Sequence, residues 1–532
     1  MESIQLTYPS TQHGQEFMMD HKPSSVKSWL ANLSFTDTNK SLDQLLQAAR
    51  TLNRTEQKLS QREENLSTLE QGYLRMSRHF RQHNDQRLVI ATENQAKLLS
   101  NLTAEMAYGY KRVVHELAEQ KVLLKKQRRM ASAINQALHY LGLHLIEHYQ
   151  QYSPIPSYIW HELHKLYHFA ELLKLQAVKI KKQTDSLLSL DTIENTYKRN
   201  CLMSVINPYH VEGNQHWHLY KYFSHWARIT TLSSDLKKFA HSECFVIDLT
   251  SGKRPEYAAS DNEYEEHPFY RLLITSELLK RLHKQLKHFS AHQTLPNPGF
   301  YSVIEPSIGH KLLQQIYAYC DHHIERKDAR YPVISNVNLV WGLANIVKVL
   351  QSTSLSNDDS VELETSLTKI LGKSYKQMLH WQAVNYSNGG ICVRQPKEDI
   401  TQLNVGNLVL LKRHINNQPQ KTWQLGIVRW LNGNKNTGAT MGLEYLHGQK
   451  TPAHYLTKNN HSEVLKHNIL LVTPFDNHET LLIAPKHLIG NRKKVSLELN
   501  GKPVEHHIIS SKESNSLIAI FEVTTVADDG DV

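Results

Sequence analysis

Cysteine is scarce in this chain: Cys201, Cys244, Cys320 and Cys392 are the only four among 532 residues, and none forms a CxxC pair. A disulfide scaffold and a zinc ribbon are excluded, and a reducing compartment is implied. No stretch approaches the ~18 uninterrupted apolar residues of a membrane span. The opening residues, MESIQLTYPSTQHGQEF, lack a basic region followed by an apolar run, so no signal peptide is read and the chain is expected in the cytoplasm. Charge is nearly balanced, with 61 Lys+Arg against 51 Asp+Glu, a net +10 with His neutral. That permits an anionic partner without pointing to nucleic acid, which is not expected to be one.

Catalytic signatures are also missing. There is no Ser/His/Asp motif, no GxSxG elbow and no HExxH helix. Gly433 and Gly438 have the spacing of a P-loop, but Ala439 stands where Lys is required. His216-Trp217-His218 and Asp321-His322-His323 lack a third and fourth ligand at zinc spacing, so no metal or cofactor is expected. Cys392 falls in a strand-like run and reads as a small buried hydrophobe. Lys121, Lys125, Lys126, Arg128 and Arg129 read as a solvated helix face. The chain is not expected to be an enzyme.

What is present is enough apolar material to fold, 40% of residues, over a length that predicts about three or four domains. Residues 1–27 show no periodicity and read as a disordered tail. Residues 28–235 read as an all-α domain. Its first signal is a seven-residue repeat, Leu45, Leu52, Leu59, Leu66, Tyr73 and Phe80, which predicts one long amphipathic helix packed in a bundle. Further helices are expected over 87–128, over 131–151, after Pro156, and through Tyr220, Phe223 and Trp226.

From Cys244 the period changes. The runs Cys244–Leu249 and Tyr270–Ile274 predict strands, and Glu277–Phe289 and Ile308–Tyr319 predict helices, making 236–325 a small mixed α/β linker domain. Strands dominate from Tyr331: 333–343, 381–393, 405–413, 423–431 and 441–446. A polar connector, 447–464, is expected before a C-terminal β unit at 465–525, with a hairpin turn at Asn500-Gly501. The fold class is therefore multidomain α+β: a helical array, a mixed middle, a small antiparallel β-barrel and a further β unit.

Two segments stand out. Arg326 and Arg330 lie four apart just before a strand, and Asn385-Tyr386-Ser387-Asn388-Gly389-Gly390 forms a tight turn between two strands. Arg offers a planar fork of donors that matches phosphate oxygens or the O6/N7 edge of guanine. Asn385 and Ser387 supply further donors and acceptors. Gly389 and Gly390 allow close backbone approach and positive φ.

These residues resemble the signature of PilZ domains, small β-barrel receptors for cyclic di-GMP. That signature is Arg-x-x-x-Arg near the first strand, then Asp/Asn-x-Ser-x-x-Gly at a later turn. The strands at Val405–Val409, Trp423–Trp430 and Met441–Glu444 are similar as well, so the resemblance spans about 326–446. Helices first and barrel last also resembles a group of large proteobacterial PilZ-containing proteins. The departure is the 55 residues from Arg330 to Asn385, lengthened by an insertion at 343–380 that begins with a helix.

The resemblance implies cyclic di-GMP as ligand, held by Arg326, Arg330, Asn385, Ser387, Gly389 and Gly390, with recognition in place of catalysis. It makes the chain an effector whose helical region meets a protein partner. The alternative is a scaffold with a degenerate, ligand-free PilZ fold.

Overall fold

The computed structural model describes residues 4–12, 20–81, 92–120, 124–180, 191–213, 215–236, 244–258, 267–297, 300, 304–321, 328–353, 381–395, 403–415, 418–420, 422–434, 438–458, 464–475, 479–490, 492–499, 501–515 and 517–525. The chain forms two compact units, Met1–Pro208 with Asn214–Ile324, and Tyr209–Gly213 with Glu325–Val532.

The first unit opens with helices α1 (Pro23–Asn32), α2 (Thr38–Arg54), α3 (Leu59–Arg81), α4 (Glu93–Glu119), α5 (Leu124–Gln150), α6 (Ser157–Leu172), α7 (Ile193–Val205) and α8 (Gln215–Trp226). Local chemistry starts several of them. Asp37 accepts the Lys40 amide at the head of α2, and Thr92 with Gln95 forms a reciprocal capping box at α4. Among the described residues no helix is long and apolar enough to cross a membrane.

The single helix expected over 45–80 is two. Its break has a physical cause in the residues that interrupt the apolar rows. Gln57 and buried Arg62 turn back to donate to the Leu52 carbonyl at 2.7 and 3.3 Å, and Arg62 also reaches the Thr55 carbonyl. The orphan carbonyls that end α2 are thereby satisfied and the chain reverses into α3. The start of the expected tail is also ordered. The Thr7 amide donates to Glu162 at 2.5 Å, Arg112 donates to Thr11 at 2.8 Å, and the Gln12 amide donates to the Arg54 carbonyl at 2.9 Å. Residues 4–12 thus strap α2, α4 and α6 together.

The mixed α/β stretch has the expected elements. Strands β1 (Thr231–Ser233), β2 (Cys244–Asp248), β3 (Glu256–Tyr257) and β4 (Tyr270–Ile274) form a sheet in the order β1-β4-β2-β3, followed by α9 (Ser276–His292) and α10 (Pro306–Cys320). It is not a separate linker domain. Arg271 forms a two-pronged ion pair with Glu171 of α6, at 2.7 and 3.0 Å. His164 donates through Nε2 to the Lys253 carbonyl, and Tyr222 donates to Gln285. These bonds tie it into the helical unit.

The second unit holds two barrels. Strands β5 (Tyr331–Trp341), β6 (Trp381–Tyr386), β7 (Gly390–Gln395), β8 (Leu408–Ile415), β10 (Gln424–Asn434) and β11 (Gly438–Leu446) run in the order β10-β11-β7-β6-β5-β8, and pairing of β8 with β10 closes the ring. The two-residue β9 (Gln418–Pro419) extends the β8 side. Strands β12 (Gln449–Lys458), β13 (Val464–Thr473), β14 (Thr480–Pro485), β15 (Lys494–Leu499), β16 (Lys502–Ser514) and β17 (Ile518–Thr525) form a second closed barrel. A short helix, α12 (Lys486–Ile489), links β14 to β15.

The polar connector expected at 447–464 is largely β12: its polar residues alternate with Ala453 and Tyr455, which face the barrel core. Leu499 pairs with Lys502 and Gly501 takes φ 79°, so β15 and β16 form the expected hairpin; Asn500 lies outside the described residues. The helix read as the start of an insertion, α11 (Leu343–Thr353), is a structural joint. Its Leu343, Ile346, Val347 and Val349 share one apolar cluster with Leu408, Leu410 and Leu425 of the first barrel and Leu470, Val472, Ile483 and Ile520 of the second. Residues 354–380 lie outside the described residues.

Candidate functional site

The β5–β6 pairing overcomes the long sequence separation. Tyr331 pairs with Tyr386 and Pro332 with Asn385, which carries Arg330 to the level of Ser387. The same register continues outside the sheet, where the Asp328 carboxylate accepts the Gly389 amide at 3.1 Å. Arg330 is exposed and forms no ion pair among the described residues. Arg326 lies outside the described residues.

A bulge aims the turn. Ala383 pairs with Val393 but Asn385 pairs with Cys392, leaving Val384 as an extra residue in β6. The shift puts Asn385 and Ser387 on the face of Cys392, and Tyr386 on the face of Ile391. Arg330 reaches this face as well. Burial pushes the Cys392 thiol up, and the Arg330 guanidinium pulls it partly back. Cys392 is buried, as its strand position implies.

The turn itself is tightly bonded. The Ser387 amide donates to the Gly390 carbonyl at 2.8 Å, the Tyr445 amide donates to the Gly389 carbonyl at 2.9 Å, and His447 Nε2–H donates to the Asn388 carbonyl at 3.0 Å. The glycines are needed for close approach; neither takes the positive φ expected for them. A Cβ on Gly390 would run into the Leu443 carbonyl oxygen, and one on Gly389 would stand 2.8 Å from Asp328.

Four neighbours were not legible as site residues. Asp328 bonds the turn as described. Arg413 of β8 lies over the Tyr386 ring, 4.5 Å from its centroid. Burial pushes the Tyr445 phenol up to about 12, with Arg413 pulling the other way. The Trp430 indole packs against Gly442, where any Cβ would collide with it. Only Asp328 carried a linear signal, its place between Arg326 and Arg330. The others come from strands that pairing brings together.

Residues 347–452 match the family model described as the middle PilZ domain of the cyclic-di-GMP receptor FimW, and residues 24–237 match that receptor's N-terminal domain. This chain carries a PilZ domain. The match to the PilZ model includes the Asn385–Gly390 turn and begins after Arg330 and β5. A relative from Pseudomonas aeruginosa, named Cyclic-di-GMP receptor FimW, is 22% identical over 550 residues, spanning 94% of this chain and 90% of that protein. No solved structure matches the chain significantly.

Elsewhere, the other sequence candidates have structural partners. His216 is buried and donates through Nε2 to the Pro208 carbonyl at 2.8 Å, while His322 and His323 lie outside the described residues. Among the described residues no three His, Cys, Asp or Glu side chains converge on a point. In the basic cluster, Arg129 is forked onto Glu63 at 2.6 and 3.2 Å.

Proposed function

We propose that this chain is a cyclic di-GMP receptor. The observation that carries the reading is the approach of Arg330, exposed and without an ion pair among the described residues, to the Asn385–Gly390 turn within a PilZ domain. The naming of the Pseudomonas aeruginosa relative supports it. Arg330, with Arg326, offers forked donors to the ligand phosphates and guanines. Asn385 and Ser387 supply polar atoms on the same face, and the glycine backbone permits close contact. The set recognises a preformed dinucleotide and needs no nucleophile.

The effector part of the reading is that binding changes what the rest of the chain offers a protein partner through the helical unit. A ligand shifts such an equilibrium only by its difference in affinity for the two states.

Calorimetry on the full chain tests the receptor reading. Cyclic di-GMP is expected to bind the wild type, with about 10- to 100-fold loss in Arg330→Ala, the loss of charged hydrogen bonds. No heat with the wild type, or equal affinity in both proteins, would overturn it and favour a ligand-free scaffold. A pull-down by the helical unit that responds to added ligand tests the effector part.

A further inference from the structure

The β5–β6 pairing is interrupted beside the turn. Its register jumps from Pro332–Asn385 to Ser335–Ala383, so Val333 and Ile334 stand opposite the single residue Val384. Val384 is also the extra residue against β7. Ala383 and its β7 partner Val393 are buried in the barrel. Side chains alternate along a strand, so Val384 next to Ala383, and Ile334 next to its partner Ser335, point outward. Cys392, beside Val393, belongs to the same outer face, and so do Asn385 and Ser387. Pro332 pairs with Asn385 and lies there too, with Arg330 two residues before it.

This face carries apolar side chains in water. Ile334 is 91% exposed and Val384 40%, and Pro332 is exposed beside them. Single exposed apolar residues are ordinary, but these three are contiguous and adjoin Asn385. Strands favour β-branched residues for packing on their neighbours, and Ile334 at this exposure packs on little. The bulge re-aims its side chains towards the face that holds the candidate site. At about 3.3 Å per residue, Ile334 lies at most about 13 Å along the strand from Arg330. A cyclic dinucleotide carries charge on its phosphates and apolar surface on its flat bases, with a ribose holding each base off its phosphate. An exposed arginine, then polar Asn385 and Ser387, then an apolar floor repeats that arrangement on the protein. Ligand sites commonly combine apolar lining with a few placed polar groups.

We propose that Ile334 and Val384 form an apolar floor on which one guanine of cyclic di-GMP lies, beside Arg330 and the polar atoms of Asn385 and Ser387. This rests on the receptor reading and deepens it by assigning a base-contacting surface outside the signature.

Calorimetry on the full chain with cyclic di-GMP, at several temperatures, tests it in wild type, Ile334→Thr, Ile334→Leu, Val384→Thr and Arg330→Ala. Threonine keeps the β-branch and removes apolar surface. Ile334→Thr and Val384→Thr should each bind about 3- to 10-fold more weakly, while Ile334→Leu should bind like the wild type. Burial of apolar surface gives binding a negative heat-capacity change, which should shrink in both threonine variants. Ile334 is so exposed that its variants should melt at the wild-type temperature, so a loss of affinity there is not a loss of fold. Wild-type affinity in both threonine variants, with loss in Arg330→Ala, overturns the proposal and leaves the receptor reading intact. Weaker binding with an unchanged heat-capacity change also overturns it, because the residues would then act through the shape of the turn. A wild type that does not bind cyclic di-GMP overturns both.

Discussion

The carboxylate of Asp328 accepts the backbone amide of Gly389 at 3.1 Å. This bond joins the segment that carries Arg330 to the turn that carries Asn385 and Ser387. It holds the arginine segment against the barrel before any ligand arrives, and so lowers the ordering entropy that binding must overcome. It also places a negative charge beside a site read as taking a phosphate ligand.

The two effects separate by substitution. Asp328→Asn keeps an acceptor for Gly389 and removes the charge, so cyclic di-GMP should bind several-fold more tightly. Asp328→Ala removes the tether as well and should bind more weakly than Asp328→Asn. Titration of the three proteins at one ionic strength checks the order. Equal affinities would mean that the bond neither organises nor repels.

Gly390→Ala should damage the turn. The added Cβ meets the Leu443 carbonyl, a backbone atom that cannot swing aside. Overpacking of this kind costs about 1–3 kcal/mol, and displacement of β7 from β11 should abolish ligand binding. Thermal melting with a ligand titration checks both effects.

The two barrels should unfold together. Ile346 of α11 is fully buried in the cluster they share. Ile346→Ala should cost about 2–5 kcal/mol. Hydrogen exchange should speed up in β8 and in β13 alike. Faster exchange confined to one barrel would show that α11 belongs to that barrel alone.

The helical unit should be acid-sensitive. Burial holds His164 down at about 4, and its neutral ring accepts from Tyr197 at 2.6 Å while donating to the Lys253 carbonyl at 2.8 Å. Its unfolded value is near 6.5, so between about pH 6.5 and 4 the unfolded chain binds more protons than the folded one. Stability is fully present above about 6.5 and falls as pH drops through that window, by up to about 3 kcal/mol. His164→Gln should melt lower at pH 7.5 and show a flatter pH slope. An unchanged slope would assign the acid sensitivity to other groups.

Much of this molecule was readable along the chain, because local spacing reflects which side of an element is buried. Leu45 and Leu52, or Leu66 and Tyr73, mark helix faces wherever the helices end. Arg330 and the Asn385–Gly390 turn were identifiable by residue type and order. What the sequence by itself determined is therefore the succession of helices and strands, the PilZ signature and the chemistry its residues can offer.

Tertiary structure decided the rest. The break after Thr55 depends on Arg62 folding back onto carbonyls of the preceding helix. The role of α11 depends on two barrels meeting across it, and β12 is a strand because β13 and β15 pair with it. Arg413 reaches the Tyr386 ring only because β8 lies beside β5, which lies beside β6. Hydrogen-bonded pairing between strands and burial of a shared apolar surface are long-range contacts, and no local spacing encodes them.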